Sequence, residues 1–237
     1  MTFGTLLRRS FEVTFRQPGV FFPIALMVNI PLILITIFSG TEVAGDAASL
    51  EAIGGPLLVV SMATWLLLQP LQTGAMAYGV FKQMSGESAT LSECLGAASQ
   101  RLIPLLGTTL LAGLVTILGM LMCIIPGILL SFGLFVAIPV VMVERNLGIV
   151  DTLKRSWDLT DGYKVTLFVF LLVLGIISFI PSFLLELAPI PVVSTLLPLA
   201  LQVGLGTVQS VGQGVAYKEM RTAKEGTDTD DLLAVFE

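Results

Sequence analysis

The sequence has no histidine, few charged residues and only two cysteines in 237 residues. Without histidine the chain lacks the usual acid–base group at neutral pH and the commonest metal ligand, which excludes Ser–His and Cys–His nucleophiles. Cys94 and Cys123 are too few for a disulfide framework. Charged residues make up 12% of the chain, against roughly 25% in soluble domains. So few charges cannot cover a surface that faces water, which indicates a membrane protein.

Hydrophobic residues make up 55% of the chain and are gathered in long runs. A membrane-spanning helix needs about 20 mostly apolar residues. Six runs meet this requirement, at 20–38, 56–81, 102–122, 127–143, 164–186 and 190–217. Pro126 and Gly127 are predicted to form a tight turn between the third and fourth runs. The start of the chain lacks the pattern of a cleaved signal peptide, so the first run is predicted to remain as an anchor.

The distribution of charge agrees with this count of six spans. With six spans, all twelve Lys and Arg residues fall on one side of the membrane. The other side carries only acids, which are Glu42, Asp46, Glu51 and Glu186. Because basic residues stay cytoplasmic, we expect a multi-pass protein of the cell (inner) membrane with both termini in the cytoplasm. Cys94 and Cys123 then lie on opposite sides and are not expected to pair.

Residues 153–162 read LKRSWDLTDG and interrupt the apolar sequence. The spacing predicts an amphipathic helix over 149–160, ended by Gly162. Its predicted apolar face consists of Ile149, Val150, Leu153 and Trp157. Its charged face consists of Asp151, Lys154, Arg155 and Asp158, with i,i+4 pairs of opposite sign. Such a helix is expected to lie flat in the inner membrane interface, or to pack against its own bundle at the same depth, and we expect a combination of the two.

The same pattern occurs earlier in the chain. Residues 7–14 read LRRSFEVT and match LKRSWDLT at 153–160 in residue type, and TLSECLGAASQR at 90–101 is a weaker third copy with a capping box from Thr90 to Glu93. The first copy is predicted to end at Pro18-Gly19. Its expected apolar face consists of Phe3, Leu6, Leu7, Phe11 and Phe15.

These copies predict three parallel units, each an interfacial helix followed by a two-helix hairpin. The units cover about 1–88, 89–146 and 147–224 of a single membrane domain, and 225–237 is predicted to be an acidic disordered tail. The predicted fold class is therefore all-α, a polytopic membrane protein with six transmembrane helices.

Residues 126–162 read PGILLSFGLFVAIPVVMVERNLGIVDTLKRSWDLTDG. This run resembles the signature of a prokaryotic family of six-span membrane proteins, which includes YciC-like proteins and the membrane domain of glycerophosphoryl diester phosphodiesterase. The matching features are a Pro-Gly pair, a span that ends in Pro139 and Glu144, and an Arg-Ser-Trp helix. The resemblance implies the six-span fold. It implies no phosphodiesterase activity, because we expect no room for that soluble domain in this chain.

The ionisable residues disfavour catalysis and ion coupling. No span carries a charge at mid-depth, which argues against a proton-driven pump. Four acids could hold Mg²⁺ near a lipid phosphate, namely Glu144, Asp151, Asp158 and Asp161. The bases beside them favour a solvated, ion-paired rim instead. The sequence therefore predicts no enzyme, no cofactor and no metal site.

The leading functional hypothesis is a non-enzymatic protein of envelope or lipid homeostasis, or an accessory subunit of a membrane complex. The expected partners are membrane lipids, anionic on the cytoplasmic face, with a protein partner or a second copy also possible and no nucleic acid. Basic and aromatic residues of the interfacial helices are predicted to contact lipid head groups. These are Arg8, Arg9, Lys154, Arg155 and Trp157.

The alternative hypothesis is a transporter or channel for a lipid or another amphipathic solute. Amide side chains in the second and sixth spans would form a polar seam. These are Gln69, Gln72, Gln202, Gln209 and Gln213. Hydrogen bonding between packed helices is the other use of such amides. Gly206, Ser210 and Gly214 form a stripe of small residues that favours close helix packing.

Overall fold

The computed structural model describes residues 2–42, 47–144, 147–186 and 191–226, and these residues form helices and short connections with no strand among them. The all-α prediction is therefore confirmed for this part of the chain. The helices within it are α1 (Phe3–Arg16), α2 (Pro18–Glu42), α3 (Ala47–Met84), α4 (Leu91–Ser99), α5 (Leu102–Met122), α6 (Ile124–Gly133), α7 (Ala137–Val143), α8 (Ile149–Thr160), α9 (Lys164–Glu186) and α10 (Pro191–Glu225).

Three stretches of described helix are long and apolar enough to cross a membrane. They are Leu102–Met122, Ile124–Val143 and Lys164–Pro181, and they coincide with the third, fourth and fifth predicted spans. The helix pair Phe3–Arg16 and Pro18–Pro31 adds a fourth only if the pair, bent by 92°, counts as one span. The predicted spans at 20–38, 56–81 and 190–217 each include side chains outside the described part. The side chains of the four acids predicted for the outer side also lie outside it. Residues 227–237 of the predicted tail also lie outside it.

The turn between α5 and α6 differs from the prediction. The chain reverses at Cys123, whereas Pro126 and Gly127 belong to the first turn of α6. A proline is tolerated there because the first helical N–H groups have no partner within the helix. Gly127 lies so close to the backbone of Met120 that a Cβ atom would come 2.7 Å from the Met120 nitrogen. The Pro-Gly pair therefore permits a tight helical hairpin without forming its turn.

The first short helix ends where the sequence predicts, since α1 stops at Arg16, just before Pro18-Gly19. Pro18 also begins α2 at its first position, and Gln17 is the single residue between the two helices. Proline is favoured at this first position because its φ is already helical and its missing N–H would be unpaired anyway. The backbone N–H of Val20 still donates to the Gln17 carbonyl at 3.1 Å. The pair therefore bends sharply without an intervening loop.

The centre of the bundle consists of α3, α7 and α10, which pack against one another, with α2, α5 and α9 outside them. The rings of Phe81 on α3 and Tyr217 on α10 lie 5.7 Å apart and are both fully buried. The Tyr217 hydroxyl donates to Glu144, which directly follows α7. The C-terminal parts of α3, α7 and α10 therefore meet at one end of the bundle, which we call the basal end.

Three short helices, α1, α4 and α8, lie at the basal end, and each brings one small buried side chain against a glycine. The contacts pair Ser10 with Gly212, Cys94 with Gly79, and Ser156 with Gly133. A Cβ atom on Gly212 would lie 3.1 Å from the Ser10 hydroxyl, and one on Gly79 would lie 3.2 Å from the Cys94 sulfur. The glycines are therefore required for the close approach of the short helices to α10, α3 and α6.

The helix α8 has the predicted bounds, and its predicted apolar face is buried only in part. Leu153 is buried as predicted, whereas Ile149 and Val150 are 38% and 55% exposed. The buried face also carries Ser156 and Thr160. The hydroxyls of Ser156 and Thr160 both donate to the Gly133 carbonyl, at 2.9 and 3.1 Å. Small hydroxyl side chains allow a closer helix contact than large aliphatic ones, and their hydrogen bonds remove the cost of burial. The helix packs against α5, α6 and α7, as one of the two predicted settings requires. Its position in the membrane interface stays a prediction.

The α8 helix ends as the sequence predicts, since Gly162 has φ +82°, a conformation that favours glycine. The charge pairs differ from the predicted ones. Lys154 pairs with Asp151 one turn back at 3.7 Å, and Arg155 turns away from Asp151 toward Glu144.

The α4 helix begins with the predicted capping box. The backbone N–H of Thr90 donates to Glu93 at 3.0 Å, and the Lys82 ammonium donates to the same carboxylate at 3.0 Å. These two hydrogen bonds lower the pKa of Glu93 below its ordinary value. Burial raises the pKa of the Cys94 thiol to about 12. Cys94 and Cys123 are both free thiols, and only Cys123 is exposed.

Candidate functional site

A cavity of about 560 Å³ lies between α3, α9 and α10, with further contacts from α2, α5 and α7. All five glutamines of the predicted polar seam line it. Asn29, Thr73, Ser178 and Ser210 add further hydrogen-bonding groups. The remaining walls are apolar, and none of the described residues that line the cavity is ionisable. Its volume lies within the range of about 300–1,000 Å³ that is usual for small-molecule sites.

Only part of the polar lining is hydrogen-bonded between helices. The Asn29 amide donates to the side chain of Gln72 at 3.3 Å, and the hydroxyls of Thr73 and Ser210 lie 3.5 Å apart. The hydrogen bonds within the described residues include none from the side chains of four other glutamines, which are Gln69, Gln202, Gln209 and Gln213. Four amides that face a cavity thus keep their donors and acceptors available to an occupant.

The cavity exists because α3 and α10 touch at one level and separate at the next. Gly214 lies against α3, where a Cβ atom would be 3.2 Å from the Val80 Cβ and 3.4 Å from the Ala77 Cα. Two turns earlier on α10, Gly206 has no atom within 4 Å of its Cβ position and lines the cavity. The predicted stripe of small residues therefore packs closely at its basal end only.

The cavity extends along α10 from Gln202 to Gln213. At 1.5 Å per residue this corresponds to about 16 Å, roughly half of a hydrocarbon core of about 30 Å. Beyond Gln213 the bundle is closed toward the basal end by side chains with no exposed surface, namely Val80, Phe81, Ala216, Tyr217 and Met220. The shape is thus a half-depth pocket with a sealed basal end.

The structure separates the five predicted head-group residues into two groups. Arg8 and Lys154 are exposed, and within the described residues Lys154 pairs with Asp151, which is itself exposed. Arg9 is exposed but forms an ion pair with Glu219 of α10. Trp157 packs over Gly133, and the Lys164 ammonium lies 3.6 Å from the centre of its ring. These placements leave Arg8 and Lys154 as the most accessible cations of the group.

Arg155, the fifth head-group residue, is held in an ion-pair network at the basal end. Its guanidinium donates to both oxygens of Glu144, at 2.9 and 3.2 Å, and also pairs with Glu225. Glu225 accepts a second hydrogen bond from Arg221, so it belongs to the last turn of α10 rather than to a tail. Burial lowers the pKa of Arg155, but the hydrogen bonds to Glu144 and Glu225 outweigh it and the pKa is raised. The network joins α7, α8 and α10.

The four acids considered for Mg²⁺ do not converge. Glu144 binds Arg155, Asp151 binds Lys154, and Asp161 binds Lys164 at 3.4 Å. Within the described residues no group of three or more Cys, Asp or Glu side chains is placed to hold a metal ion. The arrangement is that of an ion-paired rim.

The sequence alone did not identify the hydroxyl groups of the cavity. Thr73 and Ser210 are buried and face each other across α3 and α10. Thr109 of α5 also lines the cavity, and its hydroxyl donates to the Leu105 carbonyl at 2.9 Å. Single Thr and Ser residues in apolar helices form no periodic pattern in the sequence. Their hydroxyls also form hydrogen bonds with the backbone of their own helix, so their presence alone does not indicate a cavity.

Comparison of the chain with protein-family models, with curated proteins and with solved structures finds no match. The family resemblance at 126–162 and the accessory role therefore stay predictions. The cavity is the feature whose geometry bears most directly on function.

Proposed function

We propose that the protein is a six-span membrane protein that binds an uncharged amphipathic solute or lipid in the cavity, as a transporter or a membrane receptor for that solute. The observation that carries this proposal is the pocket of about 560 Å³ with four glutamine side chains that make no hydrogen bond within the described residues. A site that is polar on one wall and apolar on the others matches a solute that has both kinds of surface.

The exposure of the amides supports a role beyond packing. Gln202 and Gln209 are exposed rather than buried between helices, and an amide that faced hydrocarbon without a partner would cost about 1–3 kcal/mol. If the amides only joined helices, the neighbouring helices would close on them, as Asn29 and Gln72 do. Gln202 and Gln209 instead face open space, where water or a solute completes their hydrogen bonds.

The lack of charge narrows the class of solute. The lining residues carry no ionisable side chain, so a full charge in the cavity would have no counter-ion. Amides and hydroxyls both donate and accept hydrogen bonds, which suits ester, hydroxyl and amide groups of a neutral molecule. The apolar wall around Leu171 and Leu174 of α9 suits a hydrocarbon portion. A neutral lipid or a lipid-like metabolite fits this description.

A six-span topology is part of the proposal. Besides the three apolar stretches, α2, α3 and α10 are 25, 38 and 35 residues long, which exceeds the roughly 20 residues that a span requires. The basal end carries Lys82, Arg101, Arg155 and Arg221 among its contacts, and basic residues favour the cytoplasm. We therefore place the basal end and both termini at the cytoplasmic face of the cell (inner) membrane.

The three-unit organisation is proposed on the contacts of the short helices. In the alignment of the three copies, Ser10, Cys94 and Ser156 occupy one position, and all three are fully buried against a glycine. The helix of each unit contacts the spans of the preceding one: α4 packs on α3, α8 on α5 to α7, and α1 on α10. This cyclic order is what an axis along the membrane normal would produce.

Native mass spectrometry of the protein released from its own membrane in mild detergent tests the function. We expect one retained solute per chain. In the double variant Gln202→Leu with Gln209→Leu its occupancy should fall about tenfold, because two amide hydrogen bonds are lost. Gln100→Leu is the matched control, since Gln100 is an exposed glutamine at the end of α4.

Two outcomes would contradict the proposal. Equal retention in the double variant and in the control would mean that the cavity does not hold the solute. Retention of a protein partner with only scattered lipid would favour the accessory role instead.

A further inference from the structure

We propose that the bend between α1 and α2 binds an anionic phospholipid of the membrane. Three aromatic rings lie together at this bend, those of Phe11, Phe15 and Phe22. The Phe15 ring stacks on the Phe11 ring with 6.2 Å between their centroids, and it lies 6.1 Å from the Phe22 ring of α2. Although it is apolar, Phe15 is 61% exposed. These three rings and the neighbouring Arg16 form what we call the elbow surface.

The elbow surface continues an exposed apolar row of α2. Leu26 and Ile30 are both exposed, and they follow Phe22 at intervals of four residues, which places all three on one side of the helix. From Phe22 to Ile30 the row is about 12 Å long at 1.5 Å per residue. A row of this length suits the upper part of an acyl chain, with the Phe15 ring at its basal end.

The direction of α1 places the elbow surface at the depth of lipid head groups. In the six-span topology proposed above, on which this inference rests, α2 crosses the membrane. The two helices are bent by 92°, so α1 then lies along the membrane plane. Ser10 and Thr14 of α1 are buried on the side of the bundle, whereas Phe15 and Arg16 are exposed. An amphipathic helix in this position has its exposed side among the head groups.

Arg16 supplies the positive charge of the elbow surface. It follows Phe15 directly and is exposed, and the ion pairs within the described residues do not include it. The first turn of α2 begins two residues later and contains no acid, so its partial positive charge adds to that of Arg16. A guanidinium beside the positive end of a helix suits the oxygens of a phosphate group.

The other charged residues on the exposed side of α1 are Arg8, Arg9 and Glu12. Arg9 forms an ion pair with Glu219. Arg8 is two turns from Arg16, about 12 Å along the helix, which is too far for both guanidinium groups to reach one phosphate. Glu12 lies one turn before Arg16, and its charge is expected to weaken the binding of an anion there. Because Arg8 and Arg16 outnumber Glu12, this side of α1 keeps a net positive charge.

An anionic phospholipid matches this combination better than a free anion does. Arg16 offers a contact for the phosphate, and the rings and the apolar row of α2 offer a contact for the acyl chain that is attached to it. A free phosphate would use only the first contact. A zwitterionic head group would bring its own cation close to Arg16, so we expect a preference for a lipid with net negative charge. The elbow surface contains none of the residues that line the large cavity.

Fluorescence quenching by brominated lipids tests the proposal at the elbow surface itself. The full chain with Phe15→Trp is reconstituted into vesicles that contain brominated phosphatidylglycerol or brominated phosphatidylcholine at the same mole fraction. The signal of the unsubstituted chain, which has two tryptophans, is subtracted. We expect stronger quenching by phosphatidylglycerol, from which the relative affinity for the two lipids follows. In the same chain, Arg16→Gln should lower that relative affinity about fivefold, the usual contribution of one cation near the membrane surface.

Two further variants separate a local charge effect from a general one. Glu12→Gln should raise the relative affinity for phosphatidylglycerol several-fold, because it removes the acid beside Arg16. Lys154→Gln is the matched control, because Lys154 is an exposed cation of α8 outside the elbow surface, and it should leave the quenching unchanged. If Arg16→Gln fails to fold, the gain expected for Glu12→Gln decides the question.

Four outcomes would overturn the proposal. Equal quenching by the two lipids would remove the preference for an anionic lipid, and absence of quenching by either would place the elbow surface away from the membrane. Equal effects of Arg16→Gln and Lys154→Gln would mean that the charge acts at no particular place. Loss of the preference in millimolar inorganic phosphate would assign Arg16 to free phosphate. The double variant Gln202→Leu with Gln209→Leu should leave the preference intact, so this proposal and the cavity proposal fail separately.

Discussion

Small buried side chains hold the short helices in place at the basal end. The hydroxyls of Ser10 and Thr14 donate to carbonyls of their own helix at 2.8 and 2.7 Å, and Thr160 does the same at 2.9 Å. These internal bonds satisfy the hydroxyls and let α1 and α8 bury a polar face without a penalty. The side chains therefore act as spacers that set a short distance between helices.

The glycines that receive these side chains should tolerate no added methyl group. In Gly212→Ala the new Cβ would lie 2.6 Å from the Phe170 ring and 3.1 Å from the Ser10 hydroxyl. We expect thermal unfolding in detergent to show a loss of about 1–3 kcal/mol, the usual cost of overpacking a core. Gly204→Ala is the control on the same helix, since nothing lies within 4 Å of its Cβ position. That variant should be neutral or slightly more stable, and equal losses in both would contradict the close contact.

Among the elements, apolar length and turn chemistry made the helix bounds predictable from the sequence. The bounds of α5 and α9 match the predicted runs at 102–122 and 164–186, and α8 matches 149–160. The buried face of α8 was not predictable, because hydrophobicity ranks Ile149 above Ser156 whereas the close contact with Gly133 favours the smaller side chain. The interruption between α6 and α7 at 134–136 also lies in uniformly apolar sequence and leaves no signal.

The attachment of α8 to the bundle should depend on Glu144. In Glu144→Gln the charge that Arg155 binds is lost, and Glu225 remains as the only acid of the network. Glu144 and Arg155 are 19% and 27% exposed, so solvent screens them only in part and we expect a loss of about 1–3 kcal/mol. Asp151→Asn is the control, because its pair with Lys154 is 61% and 72% exposed and should change stability by less than about 0.5 kcal/mol. Thermal unfolding in detergent compares the two, and similar values would show that the network is not stabilising.

At the scale of the whole molecule, the sequence predicted the members of the polar cavity but not its existence. Glutamines in apolar helices indicate either a polar path or bonds between helices, and the two uses require the same residue type. The difference lies in the spacing of α3 and α10, which depends on Gly214 packing against Val80 while Gly206 stays open. Such a divergence depends on all the packed helices and cannot be read from one of them.

The proposed six-span topology makes a direct prediction for Cys123. In spheroplasts of the Cys94→Ala variant, a membrane-impermeant maleimide should label Cys123, which is exposed between α5 and α6. A second variant, Ser92→Cys in a chain without Cys94 and Cys123, should react only after permeabilisation, because α4 lies at the basal end. The unsubstituted chain should label like the Cys94→Ala variant, since Cys94 is buried and burial raises the pKa of its thiol to about 12. The reverse pattern would place the basal end outside the cell.

The packing of α1 against α10 also determines when α1 can complete its contacts during synthesis. The Ser10 face of α1 is covered by Gly212, which is made about 200 residues later, or about 10–40 s at usual translation speeds. Among the described helices, α1 is therefore made first and completes its packing last. Until α10 has been synthesised, the nascent chain lacks the helix that covers α1. A chain that stops before Gly212 would leave α1 exposed to quality-control proteases.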